Sequence, residues 1–128
     1  MNRVKVLYVD DNPDLGRLYR VVINGQKGME CVGCLEAADH LISEVERTRP
    51  DVVLIDLTMP GRDPLDAIRE LARSFPDTRA IVFSGLDDAA TVDRAVEAGA
   101  WGYVSKSREI HDVVDAIRRV SSGEVSLS

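Results

Sequence analysis

The chain has 128 residues, 45% hydrophobic and 30% charged, with a formal net charge of −6 and a sequence pI near 4.9. That is enough for one domain with a sizeable core and too little for two, and the acidic balance argues against nonspecific nucleic-acid binding by this segment. No run approaches the roughly 20 apolar residues of a membrane span, and Met1 to Leu7 lacks the apolar region and cleavage site of a signal peptide, so the cytoplasm is the expected compartment and no membrane partner is expected.

In chain order, Val4 to Val9 predicts a first strand, followed at once by Asp10-Asp11-Asn12-Pro13. Asn12 suits a helix cap and Pro13 a first helical position. Leu15, Leu18, Tyr19, Val22 and Ile23 recur at helical spacing, and Asn24-Gly25 predicts the stop. Met29 to Leu35 reads as a second strand. Glu36 to Thr48 reads as a second helix, with Ala37, Leu41, Ile42 and Val45 inward. Val52-Val53-Leu54-Ile55 is a continuous apolar run, as in a parallel strand buried on both faces, and it leads directly into Asp56.

Asp63 and Pro64 again make a cap and first turn, and Leu65, Ile68, Leu71, Ala72 and Phe75 form the helical face that follows. Ala80 to Ser84 predicts a fourth strand. Asp87 to Ala98 predicts a fourth helix, with Val92, Ala95 and Val96 inward and Gly99 at its end. Trp101 to Val104 predicts a short fifth strand. Ser107 is expected to cap the last helix, with Ile110, Val113, Val114, Ile117 and Val120 as its stripe. Gly123 to Ser128 reads as a polar tail. Five strands alternating with five helices over short connections predict one parallel sheet with helices on both faces.

Cys31-Val32-Gly33-Cys34 has the spacing of a redox pair or half a zinc site. The two further ligands that zinc needs are not supplied in pattern by His40 and His111. Residues three apart on a regular strand point to opposite faces, so the two thiols are not expected to meet.

In such a sheet the carboxyl ends of the strands open on one side, where ligands bind. Those ends bring together Asp10 and Asp11, Asp56, Ser84 and Lys106. Clustered carboxylates repel, and without a cation their pKa values should rise. Magnesium takes oxygen ligands from one or two carboxylates and leaves positions for phosphate oxygens. Lys106 offers a compact positive charge to a phosphate and Ser84 a hydroxyl donor, which leaves one carboxylate to act as a nucleophile.

With these residues in place, the chain resembles the receiver domains of bacterial two-component response regulators, over residues 4 to 121. That family has a flavodoxin-like doubly wound (βα)5 three-layer sandwich, with a five-stranded parallel sheet in the order 2-1-3-4-5. Asp10-Asp11 matches its metal-binding acidic pair. Asp56, in Ile55-Asp56-Leu57-Thr58-Met59-Pro60-Gly61, matches its phosphoacceptor. Ser84 matches the switch hydroxyl, Tyr103 the aromatic switch position and Lys106 the family's lysine. The resemblance implies that Asp56 takes a phosphoryl group from a sensor histidine kinase with Mg2+ bound by Asp10, Asp11, Asp56 and the main-chain carbonyl of Thr58. Ser84, Lys106 and Tyr103 would then switch the face made by helix four, strand five and helix five.

The run Ala98 to Lys106, with Ala116 to Val120 and Gly123 to Ser128, is similar to the NarL/FixJ group. There a linker and a LuxR-type helix-turn-helix domain follow the receiver. The resemblance therefore implies a receiver at residues 1–121, the start of a linker at 122–128, and DNA binding and control of transcription only through an output domain beyond this chain. It also implies pairing of two copies on phosphorylation. Two other readings stand beside it: a receiver-like interaction module that works without phosphorylation, and a Mg2+-dependent phosphohydrolase. The second lacks the acid that haloacid-dehalogenase-like enzymes carry two residues after the nucleophile, where this chain has Thr58.

Overall fold

A computed structural model describes residues 3–127 of the chain. Its elements are β1 (Val4–Val9), α1 (Pro13–Asn24), β2 (Met29–Leu35), α2 (Leu41–Thr48), β3 (Val52–Ile55) and α3 (Pro64–Ser74). These are followed by β4 (Arg79–Ser84), α4 (Ala89–Ala98), β5 (Gly102–Ser105), α5 (Ile110–Ser121) and β6 (Ser126–Leu127). All strand pairs are parallel, and the sheet order is β2-β1-β3-β4-β5-β6.

The alternation of strand residues divides the core in two. Val6, Tyr8, Leu54, Ile81, Phe83 and Val104 pack against Ile23 of α1 and Val113, Ile117 and Val120 of α5. Leu7, Val9, Val53, Ile55, Val82 and Tyr103 pack against Leu41 of α2, Ile68 and Leu71 of α3 and Ala95 of α4. Residues 52–55 are all fully buried, as expected of a strand covered on both sides. Asn12 accepts from the Asp14 and Leu15 amides at the start of α1, and Asp63 accepts from Leu65 at the start of α3. Gly99 ends α4 at φ 113°, and a Cβ there would stand 2.7 Å from that of Ala72 on α3. Only glycine allows both the turn and the close approach.

The structure corrects the sequence reading at several places. The sheet has a sixth strand, because the expected polar tail adds Ser126–Leu127 beside β5, with the Ser126 amide on the Trp101 carbonyl at 3.0 Å. The second helix starts at Leu41 and not at Glu36; Asp39 directs its carboxylate to the Arg62 amide at 2.9 Å, and Ala38, not Ala37, is the buried alanine. Ser107 does not cap α5. It bonds the Ser105 hydroxyl at 2.8 Å, and the helix starts after Glu109, whose amide meets the Asp112 carboxylate at 3.3 Å. Leu18, Val96 and Ile110 lie at the edge of their stripes, each more than 40% exposed. The Cys31 and Cys34 thiols do meet, with sulfurs 4.0 Å apart, because a register jump in β2 reverses the facing of the residues beyond it.

Candidate functional site

Main-chain bonds past the strand ends fix the acidic edge. The Asp10 amide continues β1 onto the Leu35 carbonyl of β2 at 2.9 Å, and the Asp56 amide continues β3 onto the Val9 carbonyl of β1 at 2.9 Å. The Lys106 amide continues β5 onto the Ser84 carbonyl of β4 at 2.8 Å. Asp10 and Asp56 thus emerge side by side, and Lys106 faces them from across the sheet. One carboxylate oxygen from each of Asp10, Asp11 and Asp56 falls within a 4.8 Å cluster. Asp10 and Asp56 are buried, at 2% and 4% exposure, while Asp11 is exposed.

Two carboxylates this deeply placed need a counter-charge. The Lys106 ammonium supplies it, 2.8 Å from Asp10 and 3.4 Å from Asp56. Burial raises the Asp56 carboxyl above its ordinary range; Lys106 pulls it back only in part, and the neighbouring Asp10 raises it further. Burial alone would lower the Lys106 ammonium, but the hydrogen bond to Asp10 and the charge of Asp56 outweigh it, and its pKa lies above the usual value. The rise expected of the carboxylates is present at Asp56, but burial is its first cause and crowding by Asp10 a lesser one.

Ser84 and Tyr103 are the other residues expected at this edge. Ser84 is fully buried at the end of β4, and its hydroxyl oxygen accepts from the Leu86 amide at 3.1 Å. Tyr103, 1% exposed, turns into the sheet and donates its hydroxyl to the Leu86 carbonyl. Leu86 thus links the two residues. Thr58 sits exposed two residues beyond Asp56, and its backbone N–H faces the Asp56 carboxylate.

Two residues of the site escaped the sequence reading. The Tyr8 hydroxyl donates to Asp10 at 3.0 Å, and burial and the Asp10 charge hold its phenol far above the usual pKa, so it stays a donor. The Phe83 ring lies 5.6 Å from the Lys106 ammonium. Strand parity was the available signal for Tyr8, two positions before Asp10 on the same face.

The donor set fits magnesium better than a softer ion. It is made of carboxylate oxygens, without sulfur or imidazole, and two of the three acids approach one point from a buried floor. Asp11, at the rim, leaves the outer side open.

Comparison with known proteins agrees with this arrangement. The response regulator receiver domain family matches residues 6–118. The response regulator GacA of Pseudomonas aeruginosa is 33% identical over 125 residues, covering 98% of this chain and 58% of that protein. An uncharacterized transcriptional regulatory protein, YxjL of Bacillus subtilis, is 30% identical over 123 residues, covering 96% of this chain and 56% of that one. The crystal structure of a LuxR-family two-component response regulator from Aurantimonas sp. SI85-9A1 superposes with a TM-score of 0.93 at 31% identity, covering 99% of this chain and 91% of that one. The chain spans less than three-fifths of the length of these two curated relatives. Both the acidic edge and the match over nearly the whole fold place the chain in the response regulator receiver family, as the receiver domain of a two-component response regulator.

Proposed function

We propose that Asp56 is the phosphoacceptor of this receiver, taking a phosphoryl group from a phosphohistidine on a sensor kinase. The observation that carries this reading is the convergence of Asp10, Asp11 and Asp56 within 4.8 Å, with Lys106 bonded to the two buried acids. An Asp56 carboxylate oxygen attacks phosphorus in line; the new P–O bond forms as the P–N bond breaks, and the imidazole leaves. Asp10, Asp11, Asp56 and the Thr58 carbonyl would hold Mg2+, which supplies positive charge against the phosphoryl oxygens when bound. Lys106, already between the two buried acids, exchanges one of these contacts for a phosphoryl oxygen. The Ser84 hydroxyl, whose oxygen accepts from Leu86, turns its proton to a phosphoryl oxygen. Drawing Ser84 toward the phosphoryl group alters the Leu86 link to Tyr103, and so the packing of α4, β5 and α5. That is a local charge change acting on a two-state element.

Residues 1–121 form the receiver in this reading. Residues 122–128 begin a linker to a helix-turn-helix output domain, through which the whole protein binds DNA and regulates transcription. The likeness to proteins described as response and transcriptional regulators supports this, as does the covered share of their length. The switched α4–β5–α5 face would control that output domain, and two copies would pair on phosphorylation.

The test is intact mass after incubation with acetyl phosphate, with and without Mg2+, for the wild type and Asp56→Asn. One phosphoryl adduct that requires both Mg2+ and Asp56 is the expected result. An adduct that survives Asp56→Asn would move the acceptor elsewhere, and no adduct on the folded wild type would favour an interaction module independent of phosphorylation.

A further inference from the structure

The Cys31-Val32-Gly33-Cys34 motif lies outside the acidic cluster, yet the fold brings its two ends together. β2 follows β1 in register until Cys31 lies opposite Val6; the next pairs are Gly33 with Leu7 and Cys34 with Tyr8. Val6 and Tyr8 are two apart on a regular strand and share a face. The skipped residue, Val32, is a bulge that carries Cys34 round to the side of Cys31. Gly33 permits the close approach, since a Cβ there would stand 3.1 Å from the Leu7 side chain. The sulfurs end 4.0 Å apart.

The two thiols differ in access. Cys31 is buried, 8% exposed, with its sulfur 3.4 Å from the Gly33 carbonyl. Cys34 is half-buried and lines a cavity of about 430 Å³ together with Arg17, Arg20, Glu36 and Asp10. As a thiol it donates to the Gly16 carbonyl at 3.6 Å. Its charge environment favours the thiolate: the Cys31 thiol donates to it and the Arg20 guanidinium stands beside it, which together outweigh burial and lower its pKa. The same hydrogen bond and burial raise that of Cys31. A half-buried sulfur beside one guanidinium, backed by a second sulfur out of solvent, is the arrangement of a reactive thiol and its resolving partner.

We propose that Cys31 and Cys34 form a peroxide-oxidisable dithiol, in which Cys34 reacts first and Cys31 closes an intramolecular disulfide. The Cys34 thiolate attacks one oxygen of a hydroperoxide; an S–O bond forms, the O–O bond breaks, and two electrons pass from sulfur to the departing alkoxide or hydroxide, which takes a proton from water. Cys31 then loses its proton to solvent and attacks the sulfenic sulfur. The S–S bond forms, the S–O bond breaks, and hydroxide leaves as water after protonation. Two thiols and one hydroperoxide give one disulfide, one alcohol or water, and one further water. Closing the sulfurs from 4.0 Å to a bond of about 2 Å draws together a pair already on one face. The product forms one residue before Leu35, whose carbonyl holds the Asp10 amide.

The experiment treats the whole chain with hydrogen peroxide, quenches it, alkylates under denaturing conditions, and reads intact mass and peptide maps for the wild type, Cys31→Ser and Cys34→Ser. The wild type should lose two hydrogens, resist alkylation at both cysteines, and regain both thiols with a dithiol reductant. Cys31→Ser should stop at a sulfenic acid on Cys34 that dimedone captures. Cys34→Ser should lose its remaining thiol more slowly by about tenfold or more. Circular dichroism melts establish that each variant is folded, and Cys34→Ala replaces Cys34→Ser if the latter is not. Full alkylation of the peroxide-treated wild type, a disulfide between two copies, or equal oxidation rates in the two variants would each overturn the proposal.

Discussion

The Tyr8 hydroxyl reaches Asp10 from beneath, at 3.0 Å, on the same face of β1. Tyr8 in turn stacks on Tyr19 with ring centres 5.3 Å apart, and Tyr19 meets Phe83 edge-on at 5.3 Å. A row of aromatic rings therefore lies under the acidic site and ends at the ring beneath Lys106. Tyr8→Phe keeps the stacking and removes one donor to a buried carboxylate. Such a bond to a charged acceptor contributes about 1.5–3 kcal/mol. Urea unfolding should show a loss in that range through a lower midpoint at unchanged slope.

Asp56 predicts a pH dependence with a definite sign. Its folded pKa is raised from the ordinary 3.8, chiefly by burial. The native state therefore keeps this proton to higher pH than the unfolded chain does, and stability falls as pH rises from near 3.8 through the raised folded value. Asp56→Asn carries no such proton. In chelator, the wild type should lose stability relative to Asp56→Asn across that window, and the difference should level off above it. Urea midpoints over a pH series read this directly, and a difference that stays flat would remove the burial argument for Asp56.

Divalent cations should reverse that cost. Binding to the native state alone adds about 2.7 kcal/mol when the ion is at a hundredfold excess over its dissociation constant. Magnesium should therefore raise the melting temperature of the wild type, with NaCl of matched ionic strength as the control. Asp11 is exposed, so Asp11→Asn should leave the chelated protein as stable as before and remove most of the magnesium shift. A full shift in Asp11→Asn would take that residue out of the ligand set.

The sheet and the acidic edge were legible because both follow from short-range pattern. A short β-branched run such as Val52 to Ile55, bounded by turn residues, reads as a strand covered on both faces, and an acid directly after it emerges at its carboxyl end. Asn12-Pro13 and Asp63-Pro64 marked two helix starts because cap and fixed φ act locally. What was missed depends on partners distant in sequence. The bulge at Val32 exists only in pairing with β1, and it alone decides whether Cys31 and Cys34 meet. Glu36 to His40 carries helical spacing, but Asp39 bonds the amide of Arg62, 23 positions on. Ser126–Leu127 shows no alternation to read; it joins the sheet because β5 offers an unpaired edge.

The Asp39 contact yields a final prediction, for the loop that follows Asp56. Gly61 adopts φ 88°, and a Cβ there would collide with the Asp39 carboxylate that accepts the Arg62 amide at 2.9 Å. Gly28 adopts φ 77° with open space around it. Gly28→Ala should cost only the left-handed backbone strain, about 1–2 kcal/mol. Gly61→Ala should cost the same strain plus the displaced hydrogen bond, about 0.5–1.5 kcal/mol more. The excess should vanish in an Asp39→Ala background, where nothing remains to collide with, and a double-mutant cycle measures it. If Gly61→Ala costs no more than Gly28→Ala in the wild-type background, Asp39 does not anchor this loop. An excess that persists without Asp39 would place the obstruction in the backbone of the loop itself.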